Sequence, residues 1–215
     1  MRTYHQLILA NRAWSQELTE QDPDYFLRQT EGQKPDVLWI GCSDSRVSPE
    51  QITRTQPGEL FIHRNIANLV HTTDDNFMSV LQFAVTVLKV GHIIICGHYG
   101  CGGLHATLNG APDGHIGEWL KNAADVHANH RHEIDSEPDA EAKLNRLVEC
   151  NVRDQLVDLA RTDIVQAAFA SGQRLHLHGW VYDLRDGLIK PLLDIEADTN
   201  LDTLGAPDRV LSPAA

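Results

Sequence analysis

Cysteine is scarce in this chain: Cys42, Cys96, Cys101 and Cys150 are the only four among 215 residues. That excludes the dense pairing of a secreted disulfide scaffold and fits a reducing compartment, so a cytoplasmic protein is expected. Long apolar runs are absent too. No stretch approaches the roughly 18 residues of a membrane span, and Met1–Ala10 is too short and polar for a signal peptide, so no membrane association is expected. Basic residues are few, 18 Lys and Arg against 30 Asp and Glu. The net charge of −12 leaves no clustered cations to meet phosphates, which argues against a nucleic-acid partner and leaves an acidic surface suited to solubility. Repeats and low-complexity segments are missing as well.

What remains is an ordinary folded composition, 42% hydrophobic and 22% charged. The length suits one α/β domain over residues 1–215 with a core that needs no staples. Residues 1–30 read as a helical arm. Leu7, Ile8, Ala10, Ala13, Trp14 and Leu18 fall at helical spacing over 4–20, and Asp22-Pro23 starts a second short helix with proline in its first turn. An arm with an apolar face and no core of its own needs a neighbouring surface.

Short apolar or alternating runs predict strands at Val37–Gly41, Leu60–His63, Ile93–Gly97 and Leu175–Tyr182. Helical patterns lie near Asn76–Leu88, Cys101–Leu108, Glu118–Ala128, Ala140–Leu159 and Asp163–Ala170. This alternation predicts an α/β fold with a mainly parallel central sheet flanked by helices. Asp186-Gly187 is a turn signal, so Leu188–Ile195 is expected to return as an antiparallel edge strand. The polar stretch His130–Asp139, with Pro138, reads as a surface loop, and residues 197–215 as a loosely ordered tail.

The chemistry concentrates in two segments. Cys42-Ser43-Asp44-Ser45-Arg46 and His98-Tyr99-Gly100-Cys101 each follow a predicted buried strand, at the strand ends where open α/β sheets place ligands. Thiolate and imidazole suit Zn²⁺, although Co²⁺ or Fe²⁺ could use the same donors. Cys42, His98 and Cys101 give three ligands with room for a fourth, the count of a catalytic site. Gly41, Gly97, Gly100, Gly102 and Gly103 would let backbone approach a small bound group. Cys96 and Cys150, each alone on an apolar element, read as small buried hydrophobes.

With Pro57-Gly58-Glu59-Leu60-Phe61, His63-Arg64-Asn65-Ile66-Ala67-Asn68 and His178-Gly179-Trp180 added, the chain resembles the β-class carbonic anhydrases from about Leu9 to Leu193. The resemblance implies one zinc per chain on Cys42, His98 and Cys101, with Asp44 and Arg46 as the paired acid and base beside it. It implies reversible hydration of CO₂ to bicarbonate and a proton by zinc-bound hydroxide. Two thiolates make the zinc a weaker Lewis acid than three imidazoles would, so activity should favour alkaline pH. Asp44 would orient the hydroxide while Arg46 holds the carboxylate through a forked pair; rotated onto zinc, Asp44 would close the site. An ordinary surface ion pair is the plainer reading of an Asp-x-Arg sequence.

Trp39, Arg64 and Tyr182 match positions that, in one subgroup of bacterial β-class enzymes, form a non-catalytic bicarbonate pocket linked to the closed site. Bicarbonate would then inhibit most strongly at low pH. The alternatives are strand core for Trp39, a strand-end aromatic for Tyr182 and an ion-pair partner for Arg64. Val47-Ser48-Pro49 departs from the related bacterial sequences, which carry proline directly after the valine, and bears on how Asp44 swings. The family's assembly implies a homodimer or a homotetramer of paired dimers. Phe61, Val70, Phe83 and Leu104 are candidate walls of a CO₂ pocket, and His127, His130 and His132 a solvated cluster. A carbonyl sulfide or carbon disulfide hydrolase, and a non-catalytic zinc or bicarbonate sensor, are the competing functions.

Overall fold

The computed structural model describes residues 3–205, in two compact units on either side of Lys34 and Pro35. The first contains α1 (Tyr4–Gln21) and α2 (Tyr25–Gln29). Thr3 and Gln6 close a capping box at the start of α1: each side chain bonds the other's backbone N–H, satisfying two otherwise orphaned donors. Trp14 meets Phe26 edge to face at 5.5 Å. Neither helix buries a residue. Pro23 is not in the first turn of α2, as the sequence suggested; it lies in the turn before Asp24, the N-cap, while Asp22 ends α1 and pairs with Arg28.

The second unit is built on five strands, β1 (Val37–Cys42), β2 (Leu60–Asn65), β3 (His92–His98), β4 (His176–Asp183) and β5 (Leu188–Ile195). Their order is β2-β1-β3-β4-β5, parallel except for the antiparallel β4–β5 hairpin at the edge. Strands β1, β2 and β3 outrun the apolar patterns because the ladder continues through Cys42, Arg64, Asn65, His92 and His98, and β4 lies one residue later than its pattern. Arg64 and Asn65 pair with Gly41 and Cys42, and His98 pairs with Tyr182. Asp36 sets the register where β3 begins, its backbone carbonyl accepting from Gly91 and His92 and its side chain from Gly91.

Helices supply the larger core on one sheet face. Helix α9 (Ala140–Ala160) is capped by Asp139, whose carboxylate accepts from Ala142, and packs on β3, β4 and β5. Its Leu144, Leu147, Val148, Val152, Leu156 and Leu159 recur at helical spacing and are buried. Around it lie α5 (Gly102–Asn109), α7 (Lys121–Asn129) and α8 (Arg131–Asp135), with α10 (Asp163–Ala170) against one end. The opposite face carries a smaller cluster of Trp39, Ile94 and Cys96, joined by Ile62, Trp180, Tyr182 and Ile189.

Elsewhere the apolar pattern concealed breaks. The pattern near Asn76–Leu88 is α4 (Asp75–Gln82) continued by a π-helical stretch, Phe83–Leu88, that Lys89 ends at φ 57°. The single helix expected over Glu118–Ala128 is α6 (His115–Trp119) and α7, broken at buried Leu120. Pro49–Thr53, which the sequence patterns leave unassigned, is the short helix α3 with proline in its first turn. His130–Asp139 is not a plain surface loop: it contains α8, which folds down because Ile134 is wholly buried against the core. Of the expected tail, Leu201 and Leu204 pack on the core and Arg153 bonds the carbonyls of Leu204 and Gly205; residues 206–215 lie outside the described residues.

Candidate metal centre

Parallel pairing of β1 with β3 brings Cys42 and His98 to the same end of the sheet, each as the last residue of its strand. Two residues later Gly100 turns the chain at φ +69°, a left-handed conformation that glycine adopts without cost, and Cys101 follows as the N-cap of α5. All three side chains are buried, and one ligand atom from each lies within 4.8 Å of the others. Cys42 Sγ and Cys101 Sγ are 3.9 Å apart.

The donor set fits a zinc-like ion. His98 Nδ1 lies 3.0 Å from the Tyr99 carbonyl, which places the proton there and leaves Nε2 with a free lone pair. Nε2 is buried and has no hydrogen-bond partner among the described residues, an arrangement that costs free energy unless something such as a cation takes the lone pair. The Cys101 thiol lowers Cys42 to about 4, and the adjoining Cys42 sulfur, reinforced by burial, pushes Cys101 up. Cys42 and Cys101 would hold a soft cation as thiolates, giving up their protons as it binds and balancing its charge.

Beside these donors, Asp44 is gripped by Arg46. Nε donates to Oδ1 at 2.9 Å and Nη2 to Oδ2 at 2.6 Å, a forked pair, and the Arg46 backbone N–H adds a bond at 3.0 Å. Arg46 holds the carboxyl well below the usual carboxylate range. Asp44 Oδ2 stands 3.7 Å from His98 Nε2, so an ionised acceptor faces the donors. Arg46 also reaches the Gly100 carbonyl at 3.4 Å, tying the two segments together. The turn after Asp44 is closed by Val47 N–H on the Asp44 carbonyl, and Ser48-Pro49 then starts α3.

Trp39, Arg64 and Tyr182 occupy one sheet face but are engaged differently. Arg64 donates to the carbonyls of Cys42, at 2.8 Å from Nε, and Asp44, at 2.5 Å from Nη2, so it braces the Cys42–Asp44 segment. Trp39 is fully buried, edge to face with Trp180 at 6.0 Å, and its indole N–H has no partner among the described residues. Tyr182 shares that apolar cluster and sits opposite His98. Among the candidate walls, Val70 and Leu104 are core, while Phe61 and Phe83 stack obliquely at 5.7 Å near the surface.

The histidine cluster needs correction. His130 is largely buried and bonds Asp154 at 3.0 Å, with Glu133 and Cys150 nearby, because α8 folds it onto α9. Arg146 bonds Glu133 in the same group, so a guanidinium already occupies that carboxylate. Cys96 and Cys150 are buried as expected, and burial pushes Cys150 up to about 12. A further group went unnoticed in the sequence: Tyr99, Glu149 and Arg146 form a buried chain behind His98. Its only sequence signal was Glu149 and Arg146 on the apolar face of α9.

Comparison with known proteins matches this arrangement. The carbonic anhydrase family model covers residues 37–189. A carbonic anhydrase of Emericella nidulans is 43% identical over 191 residues, 89% of this chain and 84% of that protein. One from Pseudomonas aeruginosa is 41% identical over 169 residues, 74% of each chain. Among solved structures, the Coccomyxa β-carbonic anhydrase in complex with acetazolamide superposes with a TM-score of 0.86 at 38% identity, over 91% of this chain and 89% of that one. A tetrameric β-carbonic anhydrase of Sordaria macrospora does so at 0.85 and 37%, over 89% and 98%. The chain belongs to the β-class carbonic anhydrase family and is a carbonate dehydratase.

Proposed function

We propose that this enzyme hydrates CO₂ at a zinc ion held by Cys42, His98 and Cys101. The observation that carries the reading is the buried Nε2 of His98, without a hydrogen-bond partner among the described residues, beside two cysteine sulfurs and a locked carboxylate. The chemistry zinc supplies when bound there is a water pKa lowered toward neutrality, so that hydroxide is available to add to the carbon of CO₂. Asp44 accepts a hydrogen bond from that hydroxyl and aims its lone pair at the substrate. Being ionised throughout the working pH range, it can only accept, and it therefore selects an oxygen that still carries a proton. Arg46 keeps the carboxylate from turning.

A second reading, inhibition by bicarbonate, is supported by Arg64. The guanidinium that would hold bicarbonate with Trp39 and Tyr182 also bonds the Asp44 carbonyl. An anion drawing Arg64 away would loosen that backbone and let Asp44 leave Arg46 for the fourth ligand position. Assembly into dimers or tetramers is supported by the exposed Tyr4, Leu7, Ile8 and Trp14 along one side of α1, a helix that buries no residue. A cytoplasmic location is supported by four free cysteines; no helix among the described residues is long and apolar enough to cross a membrane.

The test is stopped-flow CO₂ hydration by zinc-loaded protein from about pH 6.5 to 9, with and without bicarbonate, and with carbonyl sulfide as the competing substrate. Hydration that rises with pH supports the reading. Hydrolysis of carbonyl sulfide without CO₂ hydration overturns it. Low-pH suppression by bicarbonate that disappears in Arg64→Ala supports the inhibitory pocket, and unchanged suppression removes it.

A further inference from the structure

Of the two residues between His98 and Cys101, Tyr99 is held more tightly than a loop residue needs. Tyr99 is fixed at three places. Its backbone N–H bonds the Tyr182 carbonyl at 3.1 Å, and its hydroxyl donates to Glu149 Oε1 at 2.8 Å. Its ring lies 5.8 Å from the Arg185 guanidinium and 5.6 Å from the Lys190 ammonium, both bonded to buried Asp183.

Behind it, Arg146 Nη1 donates to Glu149 Oε2 at 2.6 Å and Arg146 Nε to Glu133 at 2.6 Å. Glu149 and Arg146 are 3% and 4% exposed. Two charges buried in the apolar face of α9 give little net stability, since a packed hydrophobic pair of similar volume does as well or better. What they give instead is a fixed anchor for a hydroxyl one residue from a metal ligand. The carbonyl that receives the His98 Nδ1 proton belongs to Tyr99 itself, and the next residue, Gly100 at φ +69°, lets the intervening peptide pivot unless Tyr99 is held.

We propose that Tyr99, Glu149 and Arg146 are positioning residues for the metal centre. They hold the Tyr99 carbonyl against His98 Nδ1 and so keep the Nε2 lone pair aimed at the two sulfurs. This rests on the zinc site proposed above. It adds that the site's affinity is set in part by a buried ion pair on α9, 50 residues further along the chain from Tyr99.

Zinc affinity by competition with a chromogenic chelator, and the visible spectrum of the Co²⁺-substituted protein, separate the two readings. Tyr99→Phe removes only the anchoring hydroxyl, and Glu149→Asp withdraws the acceptor by one methylene. Each should weaken zinc binding roughly tenfold or more and shift the Co²⁺ bands, as loss of a ligand's outer partner does. Glu149→Gln keeps an acceptor in reach of Tyr99 but loses the ion pair with Arg146, so its affinity should lie between those of wild type and Glu149→Asp. If all three variants bind alike, the positioning role is overturned while the zinc site stands. A wild type that binds no zinc overturns both. Zinc-free melting that drops in Tyr99→Phe with affinity and Co²⁺ spectrum unchanged would reduce the chain to a structural brace and also overturn the proposal.

Discussion

Gly97→Ala is a sharp test of how the sheet presents His98. A Cβ at residue 97 would lie 2.7 Å from Val152 Cγ2 and 3.3 Å from Val148 Cγ1, both on α9. Carbon atoms settle at about 3.5–4.0 Å, so the first contact is short by roughly 0.8 Å or more. Val152 cannot easily turn away, because a valine in a helix is held to one rotamer. It is hemmed in on the other side as well, with its Cγ1 3.1 Å from where a Cβ would stand on Gly179. Val152 is thus seated between two glycines on the neighbouring strands β3 and β4.

Overpacking of this kind costs about 1–3 kcal/mol. For a chain of this size each kcal/mol moves the thermal midpoint by about 2–4 °C, so a fall of roughly 2–12 °C is expected by calorimetry. Because residue 97 adjoins His98, zinc affinity should fall too. Gly97→Ala with Val152→Ala should recover much of the loss, a coupling that a double-mutant cycle on melting and zinc affinity measures directly. An unchanged midpoint in Gly97→Ala, or strictly additive effects in the pair, would refute the packing argument.

Asp44→Asn puts an N–H donor where only acceptors stand; kcat/KM should fall about 10²–10³-fold with zinc content unchanged, the scale of a lost positioned acceptor, and stopped-flow assays with metal analysis check it. Asp44 should add no inflection to the pH–rate profile, because Arg46 keeps its carboxyl ionised far below the working range. The His130–Asp154 pair gives a pH-dependent stability of definite sign. The Asp154 carboxylate raises the His130 pKa, so the contribution is full below about pH 6.5, the unfolded histidine value, and fades as pH rises through the raised folded value. The melting-temperature gap between wild type and His130→Gln should therefore be widest near pH 6 and narrow toward pH 9. Thr162→Ala removes the side-chain oxygen that accepts from Val165 at the start of α10 and should cost about 1 kcal/mol, read as a midpoint lower by a few degrees.

Much of the fold was legible because its signals are local. The apolar runs at Val37–Gly41 and Ile93–Gly97 can be little but buried strands, and Asp186-Gly187 set the hairpin that returns as Leu188–Ile195. Helix α10 begins and ends where its pattern does. Misreadings came where polar residues are buried. Ile134 draws a charged stretch down into α8, and His130 is folded away from solvent, because hydrophobic burial at one position carries its polar neighbours with it.

By itself the sequence determined the donor chemistry and the family: two cysteines and a histidine, an Asp-x-Arg pair, and glycines that allow close backbone approach all lie in short, readable segments. Only the tertiary structure decided what those donors face. Cys42 and Cys101 are 59 residues apart and meet at 3.9 Å because β1 and β3 pair in parallel and end together. Glu149 and Arg146 sit on the apolar face of a long helix, and nothing near them in the chain says that a tyrosine hydroxyl will be there to bond. A ligand's identity is written in its residue type, but its orientation and its buried partners follow from which strands pair and which helix face packs, and those contacts join residues far apart in the chain.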